Sequence, residues 1–143
     1  MKKKLTVKDL RDLKGKKKLV SILVKNEQEA LAANKVGFEL LATGSPGLYV
    51  NPDNHPEFEE IIKIRQAAPY AFMHWGAADT LYSGLIEATR LAFKALEHGV
   101  DMFYCHNNFE LIRGLFKQGI PGLGHVGLVP SRRTWTGGFK AVG

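Results

Sequence analysis

Val100-Asp-Met-Phe-Tyr-Cys105, then Asn107-Asn108 leading a helix to Gln118-Gly119, then Ile120-Pro-Gly-Leu-Gly-His-Val126 spell out one unit of the fold. The first run is short, apolar and rich in branched and aromatic residues, as a buried strand is. An asparagine caps the helix behind it, a glycine stops that helix, and a second apolar run follows. The same order of helix, glycine and strand occurs at Val36-Gly37 and at His98-Gly99. Strand alternating with helix means parallel βαβ units, so the class is α/β.

Working outward, Thr6-Val-Lys-Asp9 reads as a capping box opening a helix from Val7 to about Lys14. Leu19–Val24 is the first strand. Asn26 caps the next helix, with Glu29 three residues on and Gly37 as its end. Phe38–Thr43 is the second strand, closed by Gly44-Ser45-Pro46-Gly47. A loop through Asn51-Pro52-Asp53 leads to Pro56 and a helix reaching about Gln66. Tyr70–His74 is the third strand. Asp79 caps a helix to His98 with Leu81, Leu85, Ala88, Ala92 and Leu96 on its buried face. After the fifth strand, Ile120–Val126, Arg132, Arg133, Trp135 and Gly137-Gly138 form a glycine-rich mobile loop. Five strands with intervening helices suit two architectures. One is the first five units of a (β/α)8 barrel, the other a complete five-stranded doubly wound sheet.

The chain has 143 residues, one domain's worth, and no run approaches the length of a membrane span. It carries a formal net charge of +6, but unevenly. Residues 1–18 hold nine of the 20 basic residues against only Asp9 and Asp12, so that segment carries +7 and the remainder −1. A nucleic-acid domain spreads its basic groups over a folded face, so a solvated basic helix and no nucleic-acid partner are expected. The N-terminus lacks the apolar stretch of a secretory signal, and the single cysteine, Cys105, suits a reducing compartment. The expected location is the cytoplasm.

Both architectures put chemistry at the C-terminal ends of the strands. Read in order, those ends carry Lys25-Asn26, Thr43-Gly44-Ser45, His74-Trp75, Tyr104-Cys105-His106 and His125. Imidazoles are metal ligands and proton carriers near neutral pH, so His74, His106 and His125 are a candidate site for zinc or another transition ion. Gly44-Ser45-Pro46-Gly47 can cradle an anion with backbone amides, and Arg132 and Arg133 can clamp a carboxylate. Cys105 alternates with His106 and so faces the core.

Leu5-Thr6-Val7-Lys8-Asp9-Leu10 with Lys14-Gly15-Lys16 resembles the opening of the ketopantoate hydroxymethyltransferase family, also called 3-methyl-2-oxobutanoate hydroxymethyltransferase. Gly124-His125-Val126-Gly127-Leu128-Val129-Pro130, followed by Gly137-Gly138-Phe139-Lys140-Ala141-Val142-Gly143, is similar to that family's fifth-strand segment. The resemblance implies a (β/α)8 barrel of the phosphoenolpyruvate mutase and isocitrate lyase type, with residues 1–143 as one α/β domain forming the N-terminal part of a longer barrel. It implies transfer of a hydroxymethyl group from methylenetetrahydrofolate to the 2-oxo acid 3-methyl-2-oxobutanoate, in pantothenate biosynthesis. It also implies a magnesium site with acidic side chains at the ends of strands two, three and four.

This sequence departs from the family there. The second-strand aspartate position falls on Gly44, although the next residue, Ser45, matches. No Asp or Glu occurs from Arg65 to Ala78. The fourth-strand lysine and glutamate positions fall on Tyr104 and His106. His125 carries over as the candidate catalytic residue, with Ser45 and Tyr104 as substrate-binding candidates. The alternative expectation is a catalytically altered or inactive relative, acting on another 2-oxo acid or serving as a structural or regulatory subunit. Open strand edges at Leu19–Val24 and Ile120–Val126 point to a homo-oligomer.

Overall fold

The computed structural model describes residues 3–44, 58–77, 82–105 and 108–141. Their order is α1 (Val7–Leu13), β1 (Ser21–Leu23), α2 (Glu27–Val36), β2 (Leu40–Gly44), α3 (Phe58–Ala67), β3 (Phe72–Gly76), α4 (Leu85–Glu97), β4 (Met102–Cys105), α5 (Phe109–Lys117), β5 (Gly122–Gly124), a 3-10 turn (Pro130–Arg132) and α6 (Arg133–Thr136).

The five strands form one parallel sheet in the order β1-β2-β3-β4-β5. A doubly wound sheet reverses its strand order at a switch point and carries helices on both faces. Neither holds here. Leu41, Met73, Trp75, Phe103, Cys105 and Ile120 pack in one core with Ala30, Ile61, Ile64, Ala92 and Leu115 from α2 to α5. All four helices therefore cover the same sheet face, and α2 packs on α3 and α4 on α5. This is a five-unit sector of a (β/α)8 barrel, and it removes the doubly wound alternative.

Local chemistry explains why the elements start where they do. The Thr6 hydroxyl accepts from the Asp9 amide at 3.2 Å while the Asp9 carboxylate accepts from the Thr6 amide at 2.8 Å, the reciprocal capping box expected. Asn26 accepts from the Glu29 amide at 2.9 Å, and Asn108 from the Leu111 amide at 3.0 Å.

Three expectations are corrected. The third strand is not Tyr70–His74 but Phe72–Gly76, two residues later at both ends, and Trp75 continues the alternation of Met73 into the helix layer. The buried stripe of α4 is Ala88, Ala92 and Ala95, whereas Leu85 at the helix start is 41% exposed. Asp79 and Leu81 lie outside the described residues, as do Ser45–Gly47, Asn51–Asp53 and Pro56. Finally, the segment holding Arg132, Arg133 and Trp135 is not an open loop but the 3-10 turn and α6, closed by a Gly138 amide bond to the Arg133 carbonyl at 2.8 Å.

The N-terminal edge of the sheet is held by charge. Asp101, just before β4, accepts from Arg65 Nη2 at 2.7 Å, from the Met73 amide at 2.9 Å and from Lys4 Nζ at 2.6 Å. Arg65 also donates to the carbonyls of Gly99 at 2.9 Å and Ala71 at 2.7 Å. One carboxylate thus joins α3, β3, β4 and the segment before α1. In barrels this end serves stability, and the opposite end serves chemistry.

Candidate functional site

Successive residues of a strand face opposite sides, so the sheet face away from the helices carries Leu40, Ala42 and Gly44 on β2 and Phe72, His74 and Gly76 on β3. Tyr104 on β4 pairs in register with Gly76 on one side and Leu123 on the other. His125 follows β5 directly, its amide donating to the Cys105 carbonyl at 3.1 Å. The chain therefore brings a tyrosine and a histidine together from neighbouring strands. Tyr104 Oη lies 2.5 Å from His125 Nδ1, a short hydrogen bond in a half-buried setting.

Glycines make room for that pair. Gly44 and Gly76 are register partners at the ends of β2 and β3. A Cβ on Gly44 would sit 2.2 Å from the Gly76 carbonyl oxygen, and Gly44 has φ +104°. A Cβ on Gly76 would sit 2.8 Å from Tyr104 Cδ1, so the phenol ring lies directly against that glycine. The sequence marks Gly44 only through the family comparison and Gly76 not at all. Their role comes from the sheet register.

His74 does not sit at a strand end, as expected, but inside β3, two residues before Gly76. Its ring and that of His125 each lie with their centroid 6.2 Å from Tyr104, so Tyr104 is the element they share. Burial lowers the pKa of His74 from its ordinary 6.5 and favours the neutral imidazole. His106 and Ser45 lie outside the described residues, so the candidate three-histidine group is seen only through His74 and His125. Among the described residues no three His, Cys, Asp or Glu side chains gather closely enough to hold a metal ion.

Among the described residues, the strand ends do not suit a magnesium ion. Magnesium wants carboxylate and water oxygens in octahedral array. The described ends of β2, β3 and β4 offer Gly44, Gly76 and Cys105, and Cys105 is fully buried on the helix side. Arg133 lies with its guanidinium carbon 5.8 Å from the Phe139 ring centroid and donates to the Pro130 carbonyl. Both of these contacts lie within its own segment.

The fold and this edge define the class: a (β/α)8-barrel protein with its polar side chains at the C-terminal ends of the strands. Solved structures agree on the fold. The chain superposes on 2,3-dimethylmalate lyase, a member of the phosphoenolpyruvate mutase and isocitrate lyase superfamily, with a TM-score of 0.58, 18% identity and coverage of 80% of this chain and 50% of that one. It also superposes on the 3,6-anhydro-D-galactonate cycloisomerase of Zobellia galactanivorans, with a TM-score of 0.51, 19% identity and coverage of 74% and 30%.

Sequence comparison narrows the kinship. A 3-methyl-2-oxobutanoate hydroxymethyltransferase of Thermus thermophilus is 33% identical over 150 residues, covering 96% of this chain and 57% of that protein. The protein of the same name from Pyrococcus furiosus is 26% identical over 156 residues, covering 99% and 54%. No protein-family model matches. The chain is thus a relative of the 3-methyl-2-oxobutanoate hydroxymethyltransferases along nearly its whole length, and it spans about half the length of the curated relatives it matches.

Proposed function

We propose that the chain forms part of an enzyme acting on a 2-oxo acid, 3-methyl-2-oxobutanoate or a close analogue, with methylenetetrahydrofolate as the one-carbon donor. The observation that carries this reading is the Tyr104–His125 hydrogen bond at the catalytic end of a sheet whose relatives carry that activity in their names. The chemistry suits such a pair. When C3 of the 2-oxo acid loses its proton, negative charge develops on the keto oxygen, and fixed N–H or O–H donors aimed there stabilise it. The phenol of Tyr104 and the imidazole of His125 are donors of this kind.

Binding tests it directly. In ligand-detected NMR, 3-methyl-2-oxobutanoate is expected to bind in preference to 3-methylbutanoate, which lacks the keto group. Equal binding of the two, or none, would overturn the reading.

A second reading is favoured by the missing carboxylates at the described ends of β2, β3 and β4. In it, the chain binds the 2-oxo acid without turning it over, as a structural or regulatory subunit. Deuterium exchange at C3 separates the two, since it requires enolisation but no folate. Exchange supports the enzyme, and binding without exchange in the presence of several divalent ions supports the subunit.

The open edges bear on assembly. Among the described residues β1 and β5 each pair on one side only, and Leu23 on β1 is 41% exposed. Unpaired edges seek partners, which supports a homo-oligomer in solution. Size-exclusion chromatography is expected to give a mass above the 15.9 kDa of one chain. Elution as a monomer would contradict this.

A further inference from the structure

We infer that the outer face of α4 is an interface between two copies of this chain, packed helix against helix and antiparallel about a twofold axis beside Phe93. The inference deepens the homo-oligomer reading above and rests on it, but it names a surface that the open sheet edges do not include.

Helical periodicity builds the face. Ala88, Ala92 and Ala95 are buried and seat α4 on the sheet. Ile86, Arg90, Phe93 and Glu97 recur at helical spacing on the opposite side. All four are exposed, Ile86 at 71% and Phe93 at 45%. Large apolar side chains gathered on one outward stripe mark an interaction surface, and an aromatic flanked by polar residues is the usual make-up of its centre. The open flanks of the sheet do not account for this exposure. α4 joins the third and fourth of five strands and has a helix on either side. Lys94 lies over the Phe58 ring of α3 at 4.4 Å, and Leu85 packs on Gly114 of α5, where a Cβ would come within 2.6 Å of its methyl group. The helices of a (β/α)8 barrel form its outer ring, so strands added beyond β1 or β5 would leave this stripe facing outward.

The charges select the occupant. Glu87, one turn before Arg90, is already held by Ser83, whose amide and hydroxyl each donate to it at 2.7 Å. Among the described residues neither Arg90 nor Glu97 forms an ion pair. The two lie seven residues apart, about 10 Å along the axis, too far to pair within one helix. A second α4 laid antiparallel across the first, with the twofold axis beside Phe93, brings Arg90 of each copy to Glu97 of the other. The same operation sets the two Phe93 rings together between the two charge pairs. Such an interface is isologous: one patch meets itself, so it needs both signs in equal number. This stripe carries one of each. A polyanionic or polycationic partner would instead call for a stripe of a single sign.

The test is sedimentation of the full chain and its charge variants in the analytical ultracentrifuge. The unaltered chain is expected to sediment above the 15.9 kDa of one copy. Arg90→Glu and Glu97→Arg each set like charges together twice per dimer, and each is expected to weaken self-association by about tenfold or more. An equimolar mixture of the two variants brings opposite charges together again, and so does the double variant Arg90→Glu/Glu97→Arg. Both are expected to recover the association of the unaltered chain. Phe93→Ala is expected to weaken association while leaving the circular dichroism spectrum unchanged, which separates a lost contact from a lost fold. A monomeric unaltered chain would overturn the inference and the homo-oligomer reading together. An oligomer that the single reversals leave unchanged, or one that they weaken with no recovery on mixing, would overturn the inference alone.

Discussion

The guanidinium of Arg65 lies 2.7 Å from the carboxylate of Asp101 across the N-terminal edge of the sheet, with both side chains about six-sevenths buried, at 16% and 15% exposure. Burial lowers the Arg65 pKa, and the charge of Asp101 opposes that shift. Asp101→Asn keeps the shape but leaves a buried cation and weakens the bonds to Lys4 and the Met73 amide. It is expected to cost roughly 2–4 kcal/mol in urea unfolding, near the range for breaking a buried pair. A loss of about 0.5 kcal/mol or less, as for a surface pair, would contradict this role.

Gly76 and Tyr104 are expected to be coupled. Gly76→Ala puts a methyl against the phenol ring and is expected to cost about 1–3 kcal/mol by overpacking. In a Tyr104→Ala background the methyl has room, so the cost should nearly disappear. A double-mutant cycle in urea measures this. Equal costs in the two backgrounds would mean that the ring does not fill the space above Gly76.

His74 makes stability depend on pH. Its folded pKa lies below the unfolded value of about 6.5, so the unfolded chain takes up a proton where the folded chain does not. This contribution is intact above about pH 6.5 and is lost as pH falls from the unfolded value toward the lower folded one. His74→Phe should flatten that part of the profile. The check is the urea midpoint of both proteins between about pH 7 and pH 5, and parallel profiles would contradict the burial effect.

Much of the fold was legible because its signals are local. Thr6 and Asp9 are three residues apart, Asn26 and Glu29 likewise, and each pair forms the cap that the spacing implies. The number of strands followed from the recurring helix, glycine and strand. Strand order left no such mark, so choosing the barrel required the pairing itself. The bounds of β3 were not legible, because nothing local between Tyr70 and Gly76 marks where pairing starts and stops; the ring of Trp75 packs against Phe58 and Phe103 in the helix layer. Tyr104 and His125 were each visible as candidates, but not as a pair. They are 21 residues apart and meet only because β4 and β5 share a register. Arg65 and Asp101, 36 apart, gave no sequence signal at all.

The most direct measurement is the side-chain NMR signal of His125, observed through its ring nitrogens in protein labelled at histidine and assigned by loss in His125→Gln. Titrating 3-methyl-2-oxobutanoate should shift the Nδ1 and Nε2 resonances of His125, and Tyr104→Phe should weaken the binding that the shift reports. A His125 signal that does not move as the 2-oxo acid is added would contradict recognition of that acid at the Tyr104–His125 pair.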